Sequence, residues 1–391
     1  MNIALRTLLC GLTLPALAAL PAAAQSIDVL PDELKALYTD NIPVGPSAYD
    51  GFEMPAQPWK WCHSESYMGN PWRVSMTNEL ERLVNGAIEA GVVESFELSD
   101  SNGDVTQQIA QIRAFIDKGC SVITTIAGSS TALNDVIEDA FNAGIPVVTT
   151  ASAVTSPYAF NIQHNHNVWG YDMGIGVADY LGGPGNVLMV EGIPGSPIVE
   201  HENSGGYRAF EEHPEITILG KVSGMWTANV TKNVVLQFLA TNASPIDAVW
   251  TTGSETRVIA EAFTEAGRDQ PLITGSMSGD ALGYWKENKD TFKYYGGAIL
   301  PTVAAHNTFR AALRLLEGQE PLVNTILVPV PEIRGEDLGK WAAECMTVES
   351  GSIFPVAPVE PLSEESMNGY FRNGAATPLY DYATTPDPCA G

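Results

Sequence analysis

Positive charge is scarce in this chain. Only 20 Lys and Arg stand against 46 Asp and Glu in 391 residues, a formal net charge of −26. Nucleic-acid backbones and anionic lipid surfaces are therefore excluded as partners, because both are held by clustered cations. Cysteine is also scarce, five residues in all, and no spacing among them fits a zinc or thiol-redox motif. Beyond residue 24, no apolar run approaches the ~20 residues of a membrane-spanning helix. Signatures of enzymes are missing: there is no Walker-type phosphate loop, no GxGxxG after a strand and no GxSxG elbow. Gly253-Ser254-Glu255 follows a strand, but Thr256 breaks the elbow pattern. His164 and His166 form an i, i+2 pair without a carboxylate or Cys at metal-ligand spacing, so they read as polar loop residues near a pocket. No metal and no cofactor is expected.

What is present is ordinary globular material, 45% hydrophobic and 17% charged, which excludes disorder. The length suits two domains. Residues 1–24 carry one charge, Arg6, then an apolar run from Leu8 to Leu20 and Ala22-Ala23-Ala24 before Gln25. That pattern predicts an export signal cleaved after Ala24 and a protein released into the periplasm. Cys62, Cys120, Cys345 and Cys389 remain. An even count in an oxidising compartment predicts two disulfides. Three pairings are possible; proximity along the chain favours Cys62–Cys120 and Cys345–Cys389, with a lone buried thiol at Cys62 as the alternative.

After a polar lead-in over 25–58, apolar periodicity alternates between strand and helix. Strands are predicted at 59–66, 92–98, 121–126 and 145–149, with helices at 72–90, 105–117 and 131–143 between them. Gly144 stands where a helix C-terminal glycine belongs. A second series starts near residue 165, with helices at 171–181, 199–212, 229–240, 256–267, 279–288 and 302–317. Strands at 186–190, 216–222, 246–252, 271–275 and 294–299 separate them, and an extended stretch covers 325–330. Two successive β–α series predict an α/β fold of two doubly wound parallel sheets, with ligands beyond the strand C-termini.

Several loops together resemble the type I periplasmic solute-binding proteins of ABC importers, in their ribose-type, sugar-binding branch. Gly69-Asn70-Pro71-Trp72 follows the first strand, and Asn102-Gly103-Asp104 with Gln107-Gln108-Ile109 forms the second turn. Ala143-Gly144-Ile145-Pro146-Val147-Val148 is the strongest short motif. Gly192-Ile193-Pro194-Gly195-Ser196, then Gly206-Tyr207 and Phe210, open the second half, followed by Ala248-Val249-Trp250 and Glu265-Ala266-Gly267. Each motif is weak alone; their order and spacing over residues 59–330 are specific.

The resemblance implies two lobes joined by a three-crossing hinge: 59–162 plus 301–325, and 163–300 plus 326–333. A Pro-rich extension, 334–391, would pack on the lobes. It implies a monomeric binding protein, not an enzyme, that closes on a small solute and presents it to an ABC permease in the inner membrane. A sensory protein docking to a chemoreceptor or kinase shares every feature. An exported enzyme built from Ser254, His166 and Glu255 is the third class.

By position, the implied ligand site comprises Asn70, Trp72, Arg73, Ser152, Asn203, Trp226, Ser254, Glu255 and Met277. It departs from the family. Ala151-Ser152 stands where an Asp-Arg pair is usual, Asn203 replaces an Arg, Gly253 an Asn, Met277 an Asp and Leu300 a Gln. Trp72 and Trp226 offer flat faces, whereas Trp250, inside a strand, reads as core. A site that has lost these partners disfavours ribose and galactose. It favours a polyol, a modified sugar, a glycoside, or a non-sugar with a flat apolar face.

Overall fold

A computed structural model describes residues 27–39, 42–374 and 388–389; the predicted export signal and its cleavage point lie outside them. Twelve strands occur among the described residues: β1 (Trp59–Glu65), β2 (Val93–Asp100), β3 (Val122–Ile126), β4 (Val147–Thr150), β5 (Ala159–Gln163), β6 (Gly185–Glu191), β7 (Ile216–Ser223), β8 (Ala248–Trp250), β9 (Leu272–Ser276), β10 (Lys293–Gly297), β11 (Thr325–Leu327) and β12 (Glu332–Arg334). They form two six-stranded sheets with one repeated order, β2-β1-β3-β4-β5-β11 and β7-β6-β8-β9-β10-β12. The first sheet is parallel throughout, and in the second only β12 runs antiparallel to its neighbour. The two parallel sheets expected from the sequence are present, and β12 is an added antiparallel edge strand.

The chain passes between the sheets three times: from β5 into the His166–Leu181 helix, from β10 into the Pro301–Leu316 helix, and from β11 into β12. Of the extended stretch at 325–330, only Thr325–Leu327 is a strand, in the first sheet, and the second-sheet strand begins at Glu332. β5 lies where no strand was expected. Asn161 and Gln163 interrupt its apolar pattern, yet both are buried. Asn161 is satisfied there by Thr149 Oγ1 (2.7 Å) and the Val154 amide (2.9 Å).

Local sequence explains the elements nearest the cleft. Asn70 caps the Pro71–Glu89 helix by accepting the Arg73 amide (2.9 Å), and Pro71 occupies its first turn. Asn165 caps the His166–Leu181 helix through the Val168 amide (3.1 Å), which starts that helix before the expected residue 171. This helix lies against Pro197–Glu212 almost backbone to backbone. A Cβ on Gly170 would sit 1.9 Å from the Glu202 carbonyl oxygen, and one on Gly205 would sit 2.0 Å from that of Asn167. The glycines that disguise the helix in the sequence are what permit the crossing.

Both disulfides are present, with Cα–Cα separations of 6.1 Å for Cys62–Cys120 and 5.5 Å for Cys345–Cys389. Residues after β12 run over both halves. Lys286 Nζ donates to the Ala343, Glu344 and Met346 carbonyls, and the Gly279 amide to Ile353 O (2.8 Å). Further on, Glu364 pairs with Arg310 and Arg314 of the Pro301–Leu316 helix, and the Arg372 amide donates to Glu320 O (2.8 Å). No helix among the described residues is long and apolar enough to cross a membrane.

Candidate ligand-binding site

A cavity lies between the two sheets, built from the segments that follow the C-terminal ends of β1, β4, β5, β6, β7, β8, β9 and β10. About 100 Å³ of it is open to the centre of a water-sized molecule, several times the roughly 10–15 Å³ that one water needs. Trp72 and Trp226 supply aromatic surface. Ile198 and Ile299 add aliphatic surface. Trp72 Nε1 donates to the Ile299 carbonyl (2.9 Å), which also accepts from Ser276 Oγ (3.2 Å). One carbonyl at the second crossing thus ties the first-sheet Trp to the second half.

The ionisable groups are mostly paired. Arg73 Nη1 donates to Glu65 Oε2 (3.1 Å) and Ser66 Oγ (2.9 Å), and the fully buried Glu65 also accepts from Thr77 Oγ1 (2.9 Å). His166 Nε2 faces the Ala151 carbonyl (2.9 Å), so it carries a proton and donates. His166 Nδ1 meets Glu202 Oε1 (3.1 Å), and Thr252 Oγ1 donates to Glu202 Oε2 (2.5 Å). One proton must lie between His166 and Glu202, so the pair is neutral overall. His164 Nδ1 donates to Val328 O (2.9 Å), linking the first and third crossings. Burial, helped by the charge of His166, lowers the His164 pKa to about 4. The ring is therefore neutral near pH 7, with Nε2 an acceptor.

Glu255 differs. Burial, with a smaller push from the negative charge of Asp280, raises its pKa to about 7. A group raised in the folded state stabilises it below the unfolded value near 4.5 and loses that contribution as pH rises through about 7. The stability difference between Glu255→Gln and the unliganded parent should therefore grow in favour of the variant by about 2–3 kcal/mol from pH 4.5 to 8. Paired urea titrations across that range check it; parallel curves would place Glu255 in water.

Of the expected site residues, Asn70, Trp72, Arg73, Trp226, Ser254 and Glu255 line the cavity. Three do not. Ser152 is buried beside it, because Ala151 takes a left-handed φ of 58° and turns its own carbonyl to His166. Asn203 follows Glu202 on one helix, so the roughly 100° step per residue turns it off the face that Glu202 and Ile198 present, four residues apart. Met277 is fully buried in the core and Ser276 lines the cavity instead. Trp250 is core, as expected, donating from Nε1 to Gly170 O (3.0 Å).

The implied ligand set left out Glu202, Thr252, Ser276 and Ile299, and left out His164 and His166 although they read as polar residues near a pocket; all six line the cavity. The signal for the histidines was Asn165, a helix cap directly after a strand. For Glu202 it was the Ile198–Glu202 spacing behind Pro197. Ser254, His166 and Glu255 do share the cavity, but His166 spends both ring nitrogens on Ala151 and Glu202 and has none left to activate Ser254.

Two sheets of repeated order, three crossings and a cavity between them define a two-lobe binding protein. The chain belongs to the periplasmic binding protein domain family, which matches residues 64–320. It is 26% identical to a xylitol-binding protein of Mycolicibacterium smegmatis over 179 residues, 45% of this chain and 51% of that one; the chain thus spans about half the length of this curated relative. It is 25% identical to the ribose import binding protein of Bacillus subtilis, over 58% of this chain and 72% of that one. Among solved structures, an ABC transporter solute-binding protein from Thermobispora bispora matches with a TM-score of 0.67 and 28% identity, over 73% of this chain and 88% of that one.

Proposed function

We propose that this chain is the substrate-binding component of an ABC importer, working as a periplasmic monomer. It encloses a small carbohydrate-like solute, a sugar derivative or polyol, between its lobes and hands it to a membrane permease. The observation that carries the reading is the cavity itself. It spans the two lobes at the strand C-termini, offers two indole surfaces, and surrounds them with hydrogen-bonding groups of fixed sense. Asn70 uses Oδ1 as a helix cap, which leaves its amide NH2 as donor. His164 Nε2 accepts, and Arg73 has donors beyond the Nη1 held by Glu65. Such a set suits alternating hydroxyl groups over a stacked apolar face. The names of the xylitol- and ribose-binding relatives support the same class.

The test is a thermal-shift screen of residues 25–391 against aldoses, alditols, glycosides, amino acids and flat aromatic acids. A ligand at 100 times its dissociation constant adds about 2.7 kcal/mol, a rise of several degrees. Stabilisation by sugars or polyols is the expected outcome. Stabilisation only by non-sugars would overturn the solute class.

A further inference from the structure

The charges around the cavity do not balance, and the residue left over is Glu255. Arg73 is met by Glu65, and His166 by Glu202. His164 is held neutral by burial. Glu255 takes backbone hydrogen bonds from its own loop, and the charged side chain that acts on it is another acid, Asp280. Asp280 is already satisfied by Arg257 Nε (2.8 Å) and Ser278 Oγ (2.5 Å), and Arg257 is shared with Glu261. No cation of the protein is committed to Glu255 among the described residues.

Its neighbour is aromatic. A Cβ on Gly253 would lie 2.2 Å from Glu255 Oε2 and 2.8 Å from Trp226 Cδ1. The missing side chain at 253 therefore lets the carboxylate and the indole share one corner of the cavity. An acid beside an indole, with no cation of its own, is a receptor for a protonated amine. The carboxylate supplies charge and hydrogen-bond acceptors, while the ring attracts the cation or its polarised CH groups. The resemblance to sugar binders does not lead there, because a neutral sugar offers this carboxylate hydroxyl donors but no counter-charge.

We propose that the solute carries a protonated amine as well as hydroxyl groups, an amino sugar or amino polyol, and that Glu255 with Trp226 selects the amine. This rests on the carbohydrate-like reading and narrows it. Burial of Glu255 near its midpoint at neutral pH fits: an incoming ammonium group would draw the carboxyl fully into its ionised form.

The experiment is calorimetric titration at pH 7, where the amines are mostly protonated, with matched pairs: D-glucosamine against D-glucose, D-galactosamine against D-galactose, and 1-amino-1-deoxy-D-glucitol against D-glucitol. In the pair that binds, the amine should bind at least tenfold more tightly than its neutral partner. Glu255→Gln should bring that ratio to within twofold, its thermal transition showing that it folds. The comparison in the unmodified protein stands whether or not the variant does. Equal or tighter binding of the neutral member overturns the amine proposal and leaves the carbohydrate-like reading in place. No binding by any of the six sugars and polyols overturns both. An unchanged amine preference in a folded Glu255→Gln variant removes Glu255 from the selection and overturns the proposal.

Discussion

Replacing Glu364 by alanine should cost about 3–5 kcal/mol of stability and lower the melting temperature by roughly 4–7 °C. Arg310 and Arg314 project from the Pro301–Leu316 helix and are almost fully buried, 1% and 0% exposed. One carboxylate serves both. Glu364 Oε2 accepts from Arg310 Nε (3.1 Å) and Nη2, and Oε1 from Arg314 Nη2 (2.9 Å). Other groups keep hold of the guanidiniums, among them Leu362 O (2.9 Å) and Gln319 Oε1 (3.1 Å), but these are neutral. A second acid, Glu360, stands 3.8 Å from Arg310, and burial raises its pKa. Removing Glu364 takes away the carboxylate that both buried guanidiniums share, and breaking a buried pair is costly. Glu364→Gln, which keeps hydrogen-bond acceptors without charge, should cost less than half as much. The measurement is chemical denaturation of both variants, with limited proteolysis of the C-terminal segment in parallel. A loss below 1 kcal/mol in Glu364→Ala would mean that the other partners suffice to hold the two arginines.

This clamp was not legible in the sequence. Arg310 and Arg314 sit four residues apart on a helix, a pattern read ordinarily as a solvated face. Only the packing of a segment fifty residues further on buries them. The alternating strands and helices were legible because each strand of a parallel sheet is buried on both faces and reads as an apolar run, as Val122–Ile126 does. β5 escaped for the opposite reason: Asn161 and Gln163 are buried polar residues, and Asn161 is satisfied by Thr149 and Val154 from beyond the strand. Missing that strand also hid the site histidines, which stand just beyond its end. Asn70, Trp72 and Arg73 were legible because a cap, a proline and a strand end fix their place locally. Ser152, Asn203 and Met277 were misplaced by one residue each: Ala151, Glu202 and Ser276 line the cavity instead. A left-handed turn, a helical step and a strand end each decide which neighbour faces the cavity, and none of the three is written in residue type.

Trp226→Ala should weaken ligand binding by about 30–150-fold, a loss of 2–3 kcal/mol, while moving the unliganded melting temperature by less than about 3 °C. Trp226 holds a φ of 48° and the preceding Met225 one of 58°. Two successive non-glycine residues in the left-handed region are costly, and such strain persists where the surroundings fix it for a purpose. The indole is laid against glycine on two sides: a Cβ on Gly192 would fall 2.5 Å from its Cε2, and one on Gly253 would fall 2.8 Å from its Cδ1. Glycine on both sides means that the ring rests on backbone rather than interlocking with side chains, so truncation removes little core. What it removes is the flat face at the cavity wall. Alanine inherits the same unfavourable φ, so the strain does not offset the loss. Trp226→Gly separates the two contributions, because glycine adopts that φ freely. It should match alanine in lost affinity and equal or exceed it in unliganded stability. Calorimetry with whichever ligand the screen finds, together with melting curves, reads both quantities. Unchanged affinity in both variants would show that the indole does not touch the ligand. A large fall in stability with affinity retained would make Trp226 a structural residue and leave Trp72 as the only indole facing the ligand.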